Sequence, residues 1–143
     1  MNNDLERAKN TMKTGKYTCV LCCGDKIVTS MEHGVKPLLK WISEDRDFTS
    51  FSASDKVVGK AAAFLYIILG IKEIYAEIIS SGAKDIFDNH DIEVSYNIIT
   101  DFIKNRTGTG FCPMEQAVMD VCDAEKAFYA IKKKALKLNI YGN

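Results

Sequence analysis

Two stretches of this sequence combine residue types that can do chemistry at the mouth of a helix. The first is Gly108-Thr109-Gly110-Phe111-Cys112-Pro113-Met114-Glu115-Gln116. Proline suits the first helical position, so Pro113 makes Cys112 the residue at a helix mouth. Unpaired amide N–H groups and the positive end of the helix dipole lower a thiol's pKa there and favour the nucleophilic thiolate. Glu115, one turn in, offers a base, a cation ligand or a plain first-turn cap. Cys112 is equally readable as a small half-buried residue. The glycines ahead of it let backbone approach a ligand closely, which makes Thr109 and Gly110 candidate ligand contacts.

The second stretch is Ser54-Asp55-Lys56-Val57-Val58-Gly59-Lys60. Ser54 or Asp55 reads as the cap of a helix that ends at Gly70. Lys56 and Lys60, four apart, then share one face of that helix. A capped mouth with two ammonium groups beside it is an anion site, and Asp55 becomes a candidate proton carrier. Gly59 inside a helix costs roughly 1 kcal/mol relative to alanine, so some backbone or ligand should approach it closely. The plainer reading is a capping aspartate, two solvated lysines and a glycine at a packing crossing.

Other polar residues say less. In an extended chain Cys19 and Cys23 face one side and Cys22 the other, so the three do not share a metal. His33, in Glu32-His33-Gly34, can reach a site at the strand ends or sit on a surface loop. His90 near a helix end suits the terminal carbonyls. Lys132, Lys133, Lys134 and Lys137 form a basic stripe that reads as a solvated face. Nucleotide-binding, serine-hydrolase and zinc-protease signatures are absent from the sequence.

The elements that must position these residues follow from periodicity. Leu5, Ala8 and Met12 predict a helix over 4–14, stopped by Gly15. Strands over 17–23 and 26–30 flank a two-residue turn at Gly24-Asp25, which is a hairpin signature. Val35, Leu38, Leu39 and Ile42 have helical spacing. A polar loop, 43–54, leads to the helix beginning near Ser54 or Asp55, apolar nearly all round and therefore central and buried. A strand over 74–79, a helix over 82–90 and a strand opening at Ile92 come next. Residues 97–104 lean to helix on Ile98, Ile99, Phe102 and Ile103. Apolar residues from Met114 to Leu138 keep a helical period that Asp123 can break in two. Strands alternating with helices predict an α/β sandwich around a mixed sheet, its first hairpin antiparallel and its later strands parallel.

Composition bounds the rest. The chain has 143 residues, 47% apolar and 27% charged, enough for one domain with its own core. Nineteen basic and nineteen acidic residues cancel, which argues against a nucleic-acid partner. The longest uncharged run, Ala61 to Ile71, falls short of the ~18 residues a membrane span needs. The polar N-terminus does not read as a secretory signal. An odd count of five cysteines fits a reducing compartment, so the expected location is cytoplasmic.

Asp55-Lys56-Val57-Val58-Gly59-Lys60-Ala61-Ala62-Ala63 and Thr109-Gly110-Phe111-Cys112-Pro113-Met114-Glu115 together resemble domain of unknown function 1893, over about Leu5 to Leu138. That resemblance implies a cytidine-deaminase-like fold, a three-layer α/β sandwich with the mixed sheet between helices, in a single domain spanning 1–143. It implies no reaction. In zinc deaminases a His or Cys with a nearby Glu opens one helix and a Cys-x-x-Cys pair opens the next. A rough overlay puts Ala53 at the first ligand position, Asp55 at the proton-shuttling Glu, and Cys112 and Glu115 at the thiolate pair. A catalytic zinc wants three protein ligands and a water, so the expectation is no metal and no cofactor, unless His33 or Asp55 completes the set.

The expected function is binding of a small polar or anionic metabolite in a crevice at two helix N-termini. That crevice would hold Lys56, Lys60, Thr109 and Gly110 as ligand contacts, and bring Asp55 and Cys112 together. One alternative is a metal-free enzyme with Cys112 as nucleophile, Asp55 as general acid/base and Glu115 in support. Another is a metal-dependent hydrolase with an altered ligand set. No nucleic-acid or membrane partner is expected, and a homodimer is left open.

Overall fold

The computed structural model describes residues 3–103 and 112–138. Helix α1 (Asp4–Gly15) stops where Lys16 turns left-handed. Strands β1 (Cys19–Cys23) and β2 (Lys26–Ser30) form the expected antiparallel hairpin. Gly24 supplies the positive φ, 57°, that such a two-residue turn requires. Helix α2 (Lys36–Ser43) carries Pro37 in its first turn and buries Leu38, Leu39 and Trp41.

The next segment corrects the sequence reading. Ser52–Val58 is a strand, β3, and helix α3 (Lys60–Leu69) starts after it. Asp55 is therefore a strand residue and not a helix cap, and Lys56 and Lys60 share no helical face. Gly59 is the cap position rather than a helix interior. As expected, α3 is central: Ala61 through Tyr66 are all buried.

Strand β4 (Glu73–Ser80) and helix α4 (Ser81–Asn89) follow, with Ser80 capping α4 through its hydroxyl, which accepts from the Ala83 amide. The His90 ring nitrogen lies 2.8 Å from the Ile86 carbonyl, in keeping with its place at the helix end. Strand β5 (Glu93–Thr100) overturns the helical lean for 97–104: the ladder to β4 runs on through Ile98, Ile99 and Thr100. The β-branched isoleucines favour that pleated pairing, and helical spacing alone did not exclude it. Helix α5 (Pro113–Ala117) and helix α6 (Ala124–Lys137) are separated near Asp123, which stands at the cap of α6.

The sheet runs β2-β1-β3-β4-β5. β1 is antiparallel to both neighbours, while β3, β4 and β5 are parallel. Alternation along β1 sends Cys19 and Leu21 into the main core and Val20 and Cys22 into a second core under α1. The sheet thus has a packed core on each face. The larger one holds Phe64, Leu65 and Tyr66 of α3, with Phe64 and Leu65 each worth roughly 1.5–3 kcal/mol of burial. No described helix is long and apolar enough to cross a membrane.

Candidate functional site

The mouth of α3 has an occupant. Gly59 precedes it in extended backbone and has no side chain to accept from the first amides, which a helix leaves without internal partners. Glu115, from α5, supplies both acceptors. Its Oε1 accepts from the Lys60 amide at 2.8 Å and its Oε2 from the Ala61 amide at 2.9 Å. A Cβ on residue 59 would fall 2.5 Å from the Glu115 carboxylate carbon, so glycine is what admits the carboxylate. The Lys60 ammonium donates to the Met119 carbonyl at 3.1 Å. Glu115 and Lys60 therefore join α5 to α3, and the anion site foreseen at this mouth is filled by the protein's own carboxylate.

Cys112 caps α5 as expected, and the Glu115 and Gln116 amides donate to its carbonyl. The residue is half-buried and packs against the main core. Among the described residues no base accepts from its sulfur. Thr109 and Gly110 lie outside the described residues.

Asp55 belongs to a different cluster. In register it pairs with Cys19 of β1 and Ala76 of β4, and its side chain turns towards α3. The Tyr66 hydroxyl donates to Asp55 Oδ2 at 2.6 Å, and the Val57 amide donates to Oδ1 at 3.3 Å. The Cys19 sulfur lies 3.0 Å from the Tyr66 oxygen. With the tyrosine proton directed at the carboxylate, the thiol is left to donate to the tyrosine. Three polar side chains thus form a chain through an apolar core, where partly satisfied groups are costly. Burial pushes the Asp55 carboxyl up to about 7, against the opposing pull of the Tyr66 and backbone hydrogen bonds. The Cys19 thiol and Tyr66 hydroxyl are driven well above their ordinary values, first by burial and then by the neighbouring Asp55 charge.

This cluster reaches solvent through a pocket. Asp55 is 8% exposed and, with Cys19, lines an open pocket of about 120 Å³ whose other walls include Thr18, His33, Pro37 and Val57. It sits where β1 meets the carboxyl half of β3, beside the entry to α2. Ligands of open α/β sheets bind outside the carboxyl ends of strands, where the strand order switches. The structure brings His33, Asp55 and Lys56 to this pocket, and Lys60, Cys112 and Glu115 to the α3–α5 junction. No described hydrogen bond or ion pair joins the two groups. Cys19 and Tyr66 escaped sequence reasoning as site residues: the hydrogen-bond partner of Cys19 is 47 positions away and the Asp55 partner of Tyr66 is 11 away, and nothing local marks either one.

The family model for a domain of unknown function, DUF1893, matches residues 7–135. The chain belongs to the DUF1893 family. It is also similar to the crystal structure of a DUF1893 family protein from Thermotoga maritima, at 25% identity and a TM-score of 0.87, covering 94% of this chain and 91% of that one. No curated protein matches it.

For this DUF1893 chain the overlay on a zinc site does not fit the geometry. Ala53 offers no ligand and is buried inside the sheet. Asp55 engages Tyr66, and both Glu115 oxygens are spent on α3 amides. Among the described residues no group of three or more His, Cys, Asp or Glu side chains is arranged to hold a metal ion.

Proposed function

We propose that this DUF1893 protein is a small-molecule-binding domain whose site is the pocket over Asp55. One observation carries the reading: a carboxyl group more than nine-tenths buried, oriented by Tyr66, forms part of the lining of an open pocket at the carboxyl half of β3. Such a group orients a polar ligand, while Pro37 and Val57 offer apolar contact. The pocket's size, about 120 Å³, favours a compact metabolite, since pockets for drug-sized ligands run to roughly 300–1,000 Å³. The cytidine-deaminase-like, three-layer arrangement belongs to the same proposal. It is supported by α1 packing on one sheet face and α3 on the other, and by the strand order. Cancelling charges support a small molecule over nucleic acid as partner.

A fragment library titrated into isotope-labelled protein tests this. Binders should move the Gly34 and Val57 amide signals, and Asp55→Asn should weaken most of them. Binders that gather only at the α3–α5 junction would sink the proposal.

A second reading is a metal-free enzyme in which Asp55 is the general acid/base. The position of its carboxyl at about 7 favours that role, since such catalysis works best with a group near the operating pH.

A further inference from the structure

Resting on that reading of the pocket, we infer that its ligand class is a compact amine: an N–H-donating, positively charged head against Asp55 and a short apolar body along Pro37 and Val57. The groups that act on the carboxylate of Asp55 are donors: the Tyr66 hydroxyl and the Val57 amide, with the Lys56 amide adding to their pull. A carboxylate has about four acceptor positions, so these three donors leave room for one more from the pocket side. A ligand carboxylate placed there would meet a like charge, whereas an ammonium makes a charge-assisted bond.

The surroundings agree. The titratable groups around Asp55 are Glu32 and His33 from the β2–α2 connection and Lys56 from its own strand, with the neutral Tyr66 hydroxyl of α3 donating to it and the neutral Cys19 thiol of β1 set against Tyr66. Glu32 is paired with Lys36 at 3.6 Å. Among the described residues no ion pair involves Lys56 or His33, and both are exposed at the pocket rim. The deep end of the pocket is therefore an acceptor, and the Lys56 ammonium stays outside. The anionic ligand suggested by the sequence loses its seat at α3, which Glu115 holds.

The test uses three probes that share a three-carbon body and differ in the head: propylammonium, propionamide and propionate. Each is titrated into labelled full-length protein while the Gly34 and Val57 amides are followed. Propylammonium should bind with the lowest Kd. Asp55→Asn should weaken it about tenfold or more, the worth of one charge-assisted hydrogen bond. Should that variant fail to fold, a pH series on His33→Ala replaces it, since this background leaves Asp55 without the neighbouring imidazole. There, binding should weaken about tenfold between pH 8 and pH 5.5 as Asp55 takes up a proton. If propionamide or propionate moves the same amides and propylammonium does not, the ligand class is wrong and the pocket stands. If none of the three moves them, the pocket reading fails along with the inference.

Discussion

Glu115 and Lys60 stand 55 positions apart in the chain, yet a carboxylate oxygen of one lies 2.8 Å from the backbone nitrogen of the other. The second oxygen takes the next amide, Ala61. A helix usually finds its cap in the residue just before it. Here that residue is glycine, and the cap arrives from a later helix. The consequence reaches function as well as folding. A helix mouth open to solvent is an anion site, and one closed by an internal carboxylate is a structural joint.

Removing that joint should cost stability rather than binding. Glu115→Ala leaves two amides without their charged acceptor, and chemical denaturation should show a loss of about 2 kcal/mol. Glu115→Gln, which keeps one acceptor, should lose about half of that. Gly59→Ala should be destabilising in the wild type because its new Cβ meets the Glu115 carboxylate. It should cost less in Glu115→Ala, with a coupling of about 1 kcal/mol. Additive losses would show that the contact at Gly59 does not matter.

The Asp55 carboxyl should make the protein lose stability as pH rises from about 4 to about 7. Its folded-state value of about 7 exceeds its ordinary value of 3.8. Between these the folded state holds a proton that the unfolded state has released, so stability falls with rising pH, by up to about 1.4 kcal/mol per unit. Below the lower value the contribution is fully present; above the upper one it is gone. Urea midpoints across this range should slope downward in the wild type and flatten in Asp55→Asn. Equal slopes would remove Asp55 as the cause.

The hairpin, α1, α2, β4 and α4 were legible because each carries its own periodicity and punctuation. Strand β3 was not. Ser52, Ser54 and Asp55 are poor strand formers by composition, and all three are buried. What satisfies them is remote: Glu73 for the Ser52 hydroxyl, Met12 for Ser54 and Tyr66 for Asp55. A local pattern holds no trace of such partners, so a polar run ahead of an apolar helix reads as its cap. Gly59 was legible only as a demand for close approach. Glu115 fulfils it, and its sequence position gave no sign of that destination. The candidate site shifted for the same reason: Asp55 was singled out by type, while its neighbours Cys19 and Tyr66 are set by strand register and helix packing.

Tyr66→Phe should move the pH response upward. The tyrosine hydroxyl is the leading influence that holds the Asp55 carboxyl down against burial. Without it the carboxyl rises further, and the window of falling stability extends above pH 7. The Cys19 thiol loses its acceptor as well. An overall loss of about 1–3 kcal/mol should accompany the shift, as for a buried group left unsatisfied. Stability lost with no change in the pH window would make Tyr66 a packing residue only.

The five thiols should separate by exposure first and by helix position second. Cys122 is exposed, Cys23 and Cys112 are half-buried, and Cys19 and Cys22 are buried. Under a short pulse of alkylating reagent at native pH, peptide mass spectrometry should find Cys122 modified first. Cys112 should follow, ahead of Cys23, because it stands at the end of a short helix and not within a sheet strand. Cys19 should be the slowest, since burial and the nearby Asp55 charge both hold its proton on. The ordering bears directly on mechanism. A nucleophile acting through Cys112 requires that it outpace the more exposed Cys122, and such a result would restore the α3–α5 junction as a reactive centre. If Cys112 reacts no faster than Cys23, its place at the cap is structural, and any chemistry in this protein must be sought at Asp55.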